Sequence, residues 1–396
     1  MPKISSLAQA LPESPIRKLA PLADAAKKRG LKVYHLNIGQ PDLPTPQEGL
    51  DALKTVTRKV LEYSPSQGYA SYREKLTKYY AEYHINVTPD DIIVTTGGSE
   101  AILFSFMTVL NPGDEVIVPE PVYANYMTFA KTAGAKVKTI TTKIENGFAL
   151  PPVSKFEELI TDKTRAIMIC NPNNPTGSVY TEEELLQIKA LVEKYDLYLI
   201  SDEVYREYIY TGKPYVSAMN LGIDERVILI DSVSKRYSEC GIRVGALITK
   251  NEAVRKGAMK LCQARLSPPL LGQIVAEASL DAPKSYFRKT YDEYVARRNC
   301  LVEGLNKIPG VYSPMPMGAF YTIASLPVED ADDFCRWCLT EFNDENETIM
   351  MAPASGFYAT PGEGKNQVRI AYVLKLDDMK RAIVLLEKAL QQYNAR

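Results

Sequence analysis

The chain has 396 residues, 45% hydrophobic and 24% charged, with a formal net charge of −1. This builds a sizeable core, in two or three domains or in one large domain with a smaller companion. Balanced charge leaves no basic face for nucleic acid, and no apolar run approaches a membrane span, so the expectation is a soluble cytoplasmic protein.

Six cysteines are scattered along the chain, and only Cys335-Arg-Trp-Cys338 has close spacing. A four-ligand zinc site needs a second such pair, so buried thiols and no metal are expected. The two histidines, His35 and His84, sit in no ligand-spaced cluster. Histidine-dependent mechanisms are poorly supported, and a lysine base gains weight.

Residues 1–30 read as an arm plus a helix. Val33 to Ile38 reads as a strand, and Gly39-Gln-Pro-Asp-Leu-Pro-Thr-Pro46 as a rigid loop poor in backbone donors. Helical spacing returns from Gln47 to Leu61. Tyr63 to Gly68 is a turn, and 71–84 a capped helix. Asp91 to Thr96 is a strand, followed by Gly97-Gly98-Ser99 and an apolar helix from Glu100 to Leu110. Strand, glycines and helix N-terminus together suit a phosphate, because bare backbone N–H groups and the helix dipole both favour an anion.

Glu115 to Val118 is the next strand, and Tyr123 beyond it can stack on a flat ligand or pack in the core. A helix runs to about Ala133, then a strand from Lys136 to Ile140. The strand Arg165 to Cys170 runs into Asn171-Pro-Asn-Asn-Pro-Thr-Gly177. Two prolines and a glycine fix that loop, which presents asparagines at a strand end. Thr181 opens a helix with acids in its first turn. Leu197 to Ile200 ends in Ser201-Asp202-Glu203-Val-Tyr205, and Arg226 to Asp231 ends in Ser232-Val-Ser-Lys235-Arg236.

Strand and helix thus alternate from 91 to 248. The pattern predicts an α/β architecture with a largely parallel sheet covered on both faces. Ligands bind outside the carboxyl ends of such strands, and Gly98, Asn174, Asp202 and Lys235 all sit there. Helices resume from Asn251 to Leu280, broken at Leu266-Ser-Pro-Pro-Leu270, and a charged helix spans Ser285 to Leu305. The remainder reads as α+β: strand Ala319 to Ile323, helix Ala331 to Asn343, strands Ile349 to Ala352 and Gln367 to Tyr372, and a helix from Asp377 to Tyr393. Three parts are expected: an N-terminal segment, 1–45, packing with the small domain; a large domain, 46–285; and a small α+β domain, 286–396.

A strand-end lysine, a carboxylate, a phosphate cradle and stacking aromatics together suggest pyridoxal 5′-phosphate. Lys235 would carry it as a Schiff base, and Asp202 would pair with its pyridinium nitrogen. Asn174 and Tyr205 would hydrogen-bond its phenolic oxygen. The Gly97-Gly98 turn, Ser99, Ser232 and Arg243 would hold its phosphate. Arg369 lies mid-strand, where a charge is costly without an anionic partner. Ser232-Val-Ser-Lys235 also fits the nucleophile pattern of serine acylases, but that pattern's companion motifs are missing. A non-catalytic cofactor-binding sensor would need an attached DNA-binding segment, and 1–30 is too short and insufficiently basic.

The chain resembles the fold-type I, class I aminotransferases that depend on pyridoxal phosphate. The resemblance rests on Asn37-Ile-Gly39-Gln-Pro-Asp42, Thr96-Gly-Gly-Ser-Glu100, Asn171 to Gly177, Ser201-Asp-Glu-Val-Tyr205, Ser232-Val-Ser-Lys235, Arg243, Gly318-Ala-Phe-Tyr321 and Val368-Arg-Ile370. It implies a mostly parallel seven-stranded sheet with Lys235 as the cofactor lysine, Asp202 as the pyridine partner and Tyr123 as the stacking aromatic. Arg369 would clamp the substrate α-carboxylate, aided by Asn174 and the backbone of Gly39. Tyr63 would reach the cofactor phosphate of a neighbouring subunit, which implies a homodimer with shared active sites.

The implied reaction moves an amino group between an amino acid and a 2-oxo acid such as 2-oxoglutarate, with an aspartate-like donor favoured. Alanine or aromatic specificity, or C–S β-lyase chemistry, are the alternatives. The chain departs from the pattern at Ile242, at Arg236 after the lysine, and at Ser99, where some aspartate-preferring relatives carry a lysine. Arg265 and Arg236 are then the candidates to read a second carboxylate.

Overall fold

The computed structural model describes residues 2–396. Its strands are β1 (Lys32–His35), β2 (Ile92–Thr95), β3 (Glu115–Glu120), β4 (Lys136–Thr141), β5 (Thr164–Cys170), β6 (Tyr198–Asp202), β7 (Val227–Ser232), β8 (Gly245–Ile248), β9 (Tyr321–Ser325), β10 (Glu347–Met350), β11 (Ala352–Pro353) and β12 (Gln367–Ala371). Seven of them form one sheet in the order β2-β8-β7-β6-β5-β3-β4. All its pairings are parallel except those of β8, which runs antiparallel to both β2 and β7. Between β7 and β8 the chain makes only one helical turn, Val233–Arg236, and a 3-10 turn, Cys240–Ile242. It lacks the crossover helix that would return it parallel.

The strands read as continuous apolar runs because both faces are covered. Ile93, Val116, Met168, Ile200, Ile228 and Leu247 point into one core cluster, and their neighbours Ile92, Ile117, Ile167, Leu199, Leu229 and Ile248 into the other. Burying each such side chain contributes about 1.5–3 kcal/mol. The helix Gly97–Val109 packs on β7 and β8.

A three-stranded antiparallel sheet, β11-β12-β9, and a parallel pair, β1 with β10, make up the second body. Its long helices Lys284–Leu305 and Leu376–Asn394 pack on each other. The β1 pairing joins the N-terminal segment to the C-terminal part, with Val33 opposite Thr348. Buried Arg297 reinforces the junction by donating to Asp42 Oδ1 at 2.6 Å and to the Val373 carbonyl at 2.6 Å.

Several boundaries differ from the sequence expectations. The helix from Gln47 stops at Lys54 rather than Leu61. Thr55-Val-Thr follows, and three β-branched residues in a row resist helix. The helix expected from Glu100 begins at Gly97. The helix over 71–84 spans Ala70–Ala81, and Tyr69 gives it no side-chain cap. The strand expected from Ala319 starts at Tyr321, because Ala319 adopts a left-handed φ of 55°.

Cys335 and Cys338 are buried on the helix Ala331–Thr340, and burial pushes both thiols up. That environment is inert, unlike an electropositive helix start that activates a thiol. Among the described residues no helix is long and apolar enough to cross a membrane.

Ile228→Ala, at the centre of β7, is expected to cost about 2–5 kcal/mol. A chemical-denaturation midpoint that falls accordingly supports the two-faced core. An unchanged midpoint contradicts it.

Candidate active site

Polar side chains gather at one edge of the seven-stranded sheet. β2, β5, β6 and β7 are parallel and deliver the Gly97 turn, Asn174, Asp202 and Ser232 to their carboxyl ends. Antiparallel β8 brings its beginning to the same edge, with Arg243 just before it.

Gly97 and Gly98 are the first helical residues of Gly97–Val109, and Thr96 supplies no side-chain cap. The opening N–H groups of this helix therefore face the edge without a side-chain acceptor from the cap. Gly97 has φ +75°, and a Cβ there would meet Arg243 Nη2 at 2.5 Å. A Cβ on Gly245 would come within 2.5 Å of the Gly97 carbonyl carbon, so β8 passes against the bare turn. Arg243 is held left-handed at φ 57°, and its Nη1 donates to the Cys240 carbonyl at 2.9 Å. Ser99 sits half-buried in the first helical turn. A guanidinium against glycines and a helix N-terminus form an anion cradle.

Asp202 is buried at the end of β6 and accepts from Tyr126 Oη at 2.5 Å. Burial pushes its carboxyl up to about 6, against the opposing pull of the Tyr126 hydrogen bond. Tyr123 packs edge-on to Tyr126, with ring centroids 5.4 Å apart. Its hydroxyl accepts from Asn125 at 2.7 Å, and burial pushes it up to about 12.

A chain of hydrogen bonds crosses the site floor. Asn174 Nδ2 donates to Tyr205 Oη at 3.3 Å, Tyr205 to Tyr321 Oη at 3.1 Å, and Tyr321 to the Gly39 carbonyl at 3.3 Å. Lys235 Nζ donates to the same Gly39 carbonyl at 2.8 Å. Residue 39 must be glycine, since a Cβ there would lie 1.8 Å from Tyr321 Oη.

Arg369 lies on β12 and is 1% exposed. Its Nη1 donates to Asn174 Oδ1 at 3.1 Å and its Nη2 to the Asn37 carbonyl at 2.5 Å, while Nε has no partner. Asn37 Nδ2 reaches back to the Ile16 carbonyl at 2.9 Å, bringing the N-terminal segment beside it. Burial pushes the guanidinium below its usual value. Among the described residues no carboxylate lies within 4 Å of it, so a buried cation stands without an anion.

Both candidates for reading a second carboxylate already have partners in this chain. Arg236 cannot read a substrate carboxylate from within its own chain. It is 1% exposed and pairs with Glu207 at 2.7 Å and Asp231 at 2.5 Å. Arg265 is also engaged, with Glu100 at 2.7 Å and the Ser66 carbonyl at 2.8 Å. The serine-acylase alternative fails on geometry as well. Ser232 Oγ donates to the Val244 carbonyl at 3.1 Å and accepts from Ser234 N, while Lys235 turns to Gly39. Tyr63 does not join the cluster within one chain and stands 76% exposed.

Tyr126 and Gly245 escaped the sequence reading. Tyr126 looks like one more apolar position of the helix Asn125–Thr132, and Gly245 like an ordinary strand start. Asn37 opens the Asn37–Asp42 loop and Tyr321 closes Gly318-Ala-Phe-Tyr321, but nothing in their local spacing gives them a partner.

The family model described as aminotransferase class I and II matches residues 32–386. The aspartate aminotransferase of Thermotoga maritima is 34% identical over 384 residues, covering 95% of this chain and 97% of that one. That of Bacillus subtilis is 30% identical over 403 residues, covering 99% and 100%. Among solved structures, Thermus thermophilus aspartate aminotransferase with maleate superposes at a TM-score of 0.88 with 28% identity, covering 98% of this chain and 100% of that one. Alanine aminotransferase from Pyrococcus furiosus superposes at 0.90 with 30% identity and the same coverage. The chain therefore belongs to the class I and II aminotransferases, enzymes that move an amino group between an amino acid and a 2-oxo acid.

Proposed function

We propose that the sheet edge holds pyridoxal 5′-phosphate and that an α-amino acid reacts there against Arg369. The observation that carries this reading is the buried guanidinium of Arg369, which lacks an anion and shares the pocket with Lys235 through Asn174, Tyr205, Tyr321 and Gly39. A substrate α-carboxylate would supply the missing charge in a bidentate pair. The cradle would fit the cofactor's phosphate: Gly97, Gly98 and Ser99 offer donors at the helix start, Arg243 the cation, and Ser232 could join by turning its hydroxyl from the Val244 carbonyl. Asp202 fits a ring nitrogen, and Tyr123 a ring face. When bound, the cofactor supplies an electron sink for charge developing at the substrate Cα.

This chain's residues do the rest. Lys235 Nζ would hold the cofactor and would supply the general base for the substrate's Cα proton. Asn174 and Tyr205 would offer hydrogen bonds to the cofactor's phenolic oxygen. Asp202, buried and raised toward 6 by that burial, would pair with the ring nitrogen and be favoured there as a carboxylate. Exposed Tyr63 is best explained by a homodimer, in which it reaches the cradle of the second copy. The N-terminal segment to 45 and the part from 286 form the small domain, and 46–285 the cofactor-holding domain.

Aspartate with 2-oxoglutarate is the proposed substrate pair, supported by the names of the Thermotoga and Bacillus relatives. Alanine is the second reading, favoured by the prior engagement of Arg236 and Arg265 and by the Pyrococcus neighbour. A steady-state screen of amino donors against 2-oxoglutarate separates the two. A protein that loads cofactor yet converts no amino acid to its oxo acid sinks the transferase reading.

Lys235→Ala is expected to lose the cofactor's visible spectral response to amino acids and to lower kcat by about 10²–10⁴-fold or more. A variant with wild-type turnover contradicts the assignment. Asp202→Asn tests the carboxylate without any activity assay. The folded carboxyl holds its proton up to about pH 6 and the unfolded one only to its ordinary value, so ionisation weakens the cofactor-free fold as pH rises between them. Cofactor-free Asp202→Asn should therefore melt higher than wild type above pH 6. The gap should close toward pH 4. A variant that melts lower than wild type at pH 8 counts against this.

A further inference from the structure

Behind the site lies a cluster of five buried charged side chains that the reaction itself does not use. Arg206 and Arg236 face Glu203, Glu207 and Asp231, all nearly inaccessible to solvent. Arg206 donates to Glu203 Oε2 at 3.1 Å and to Tyr79 Oη at 3.1 Å, and lies 3.8 Å from Asp231. Glu203 Oε1 accepts from Ser201, Ser217 and the Ala218 N–H at 2.9–3.0 Å. Arg236 forks between two segments: Nε to Glu207 Oε1 at 2.7 Å and Nη2 to Asp231 Oδ2 at 2.5 Å, with its guanidinium 3.8 Å from the Tyr79 ring centre.

The members are adjacent in sequence to the proposed cofactor residues. Glu203 follows Asp202, Arg206 and Glu207 follow Tyr205, and Arg236 follows Lys235. The lysine rides on a helix of only four residues, Val233–Arg236. A single turn has no stability of its own, so its orientation must come from outside ties. Two ties run from the segment after Asp202: Arg236 to Glu207, and Tyr208 Oη to the Lys235 carbonyl at 2.8 Å. A buried ion cluster is a poor source of net stability, because apolar residues of the same volume do as well. A rigid guanidinium fork does offer fixed geometry, which a point-charge lysine does not.

We propose that Arg236 is a positioning residue that locks the Lys235 turn to the Asp202–Tyr208 segment, so that the nucleophilic amine and the ring-nitrogen carboxylate keep a fixed separation. This rests on the proposed roles of Lys235 and Asp202. Arg236→Met removes both the fork and its charge. Glu207 then loses its cation, and Asp231 keeps the Tyr80 hydroxyl at 2.7 Å but, as a cation, only the more distant Arg206. The added negative charge favours the protonated nitrogen at Lys235.

The test uses the full chain reconstituted with pyridoxal phosphate. In Arg236→Met the pH midpoint of the visible cofactor band should rise by roughly half a unit or more. Its kcat should fall by about 10²-fold, as expected for a small misplacement of reacting groups, with KM little changed. Adding Glu207→Gln should bring the midpoint back down without restoring kcat. If Arg236→Met does not fold, Arg236→Lys decides: the charge stays, so the midpoint should hold, while kcat falls because the fork is gone. Variants that lower only the melting temperature, with wild-type kcat and midpoint, overturn the role of Arg236 alone. A wild-type protein that shows no visible band with pyridoxal phosphate overturns the cofactor reading and this inference with it.

Discussion

A parallel sheet buried on both faces leaves its polar groups only one place to go. Apart from exposed Arg165, the residues of β5, β6 and β7 before the last point into one of two apolar clusters or pair along the ladder. Charge and hydrogen-bonding capacity therefore collect where the strands stop. Asn174, Asp202 and Lys235 come from three separate strand ends and meet there for that reason. The reversal of β8 adds Arg243 to the same edge, and the bare Gly97-Gly98 turn lets it come close.

The second body completes the edge rather than merely covering it. β12 carries Arg369 and β9 begins with Tyr321, and both reach residues of the large sheet's loops. The Gly39 loop enters because β1 is paired into this body. One carbonyl, that of Gly39, then accepts from both Lys235 and Tyr321. A buried cation without an anion and a carboxyl raised by burial are each costly by themselves, and both stand at this edge.

Much of this was legible in the sequence, for identifiable reasons. Apolar runs of strand length and glycine or proline punctuation placed β2 to β7 within a residue or two. The strand-end rule then grouped residues far apart in the chain. Arg369 drew notice because a charge inside Val-Arg-Ile has no cheap structural explanation. What could not be read was tertiary pairing. Arg236 and Arg265 looked like free cations because their partners Asp231, Glu207 and Glu100 are recognised only in space. Tyr126 was invisible because its hydrogen bond to Asp202 joins a helix to a strand 76 residues away. The helix from Gln47 ends at Lys54 although helical spacing runs on to Leu61, because Thr55-Val-Thr resists helix.

The most direct test of the account is to find where the cofactor attaches. The purified protein would be mixed with pyridoxal 5′-phosphate, reduced with borohydride to fix the carbon–nitrogen linkage, digested and mapped by mass spectrometry. The expected result is a pyridoxyl adduct on Lys235, in the peptide that follows β7, and on none of the other lysines. An adduct on a different lysine, or none under conditions where the visible band is present, would contradict it.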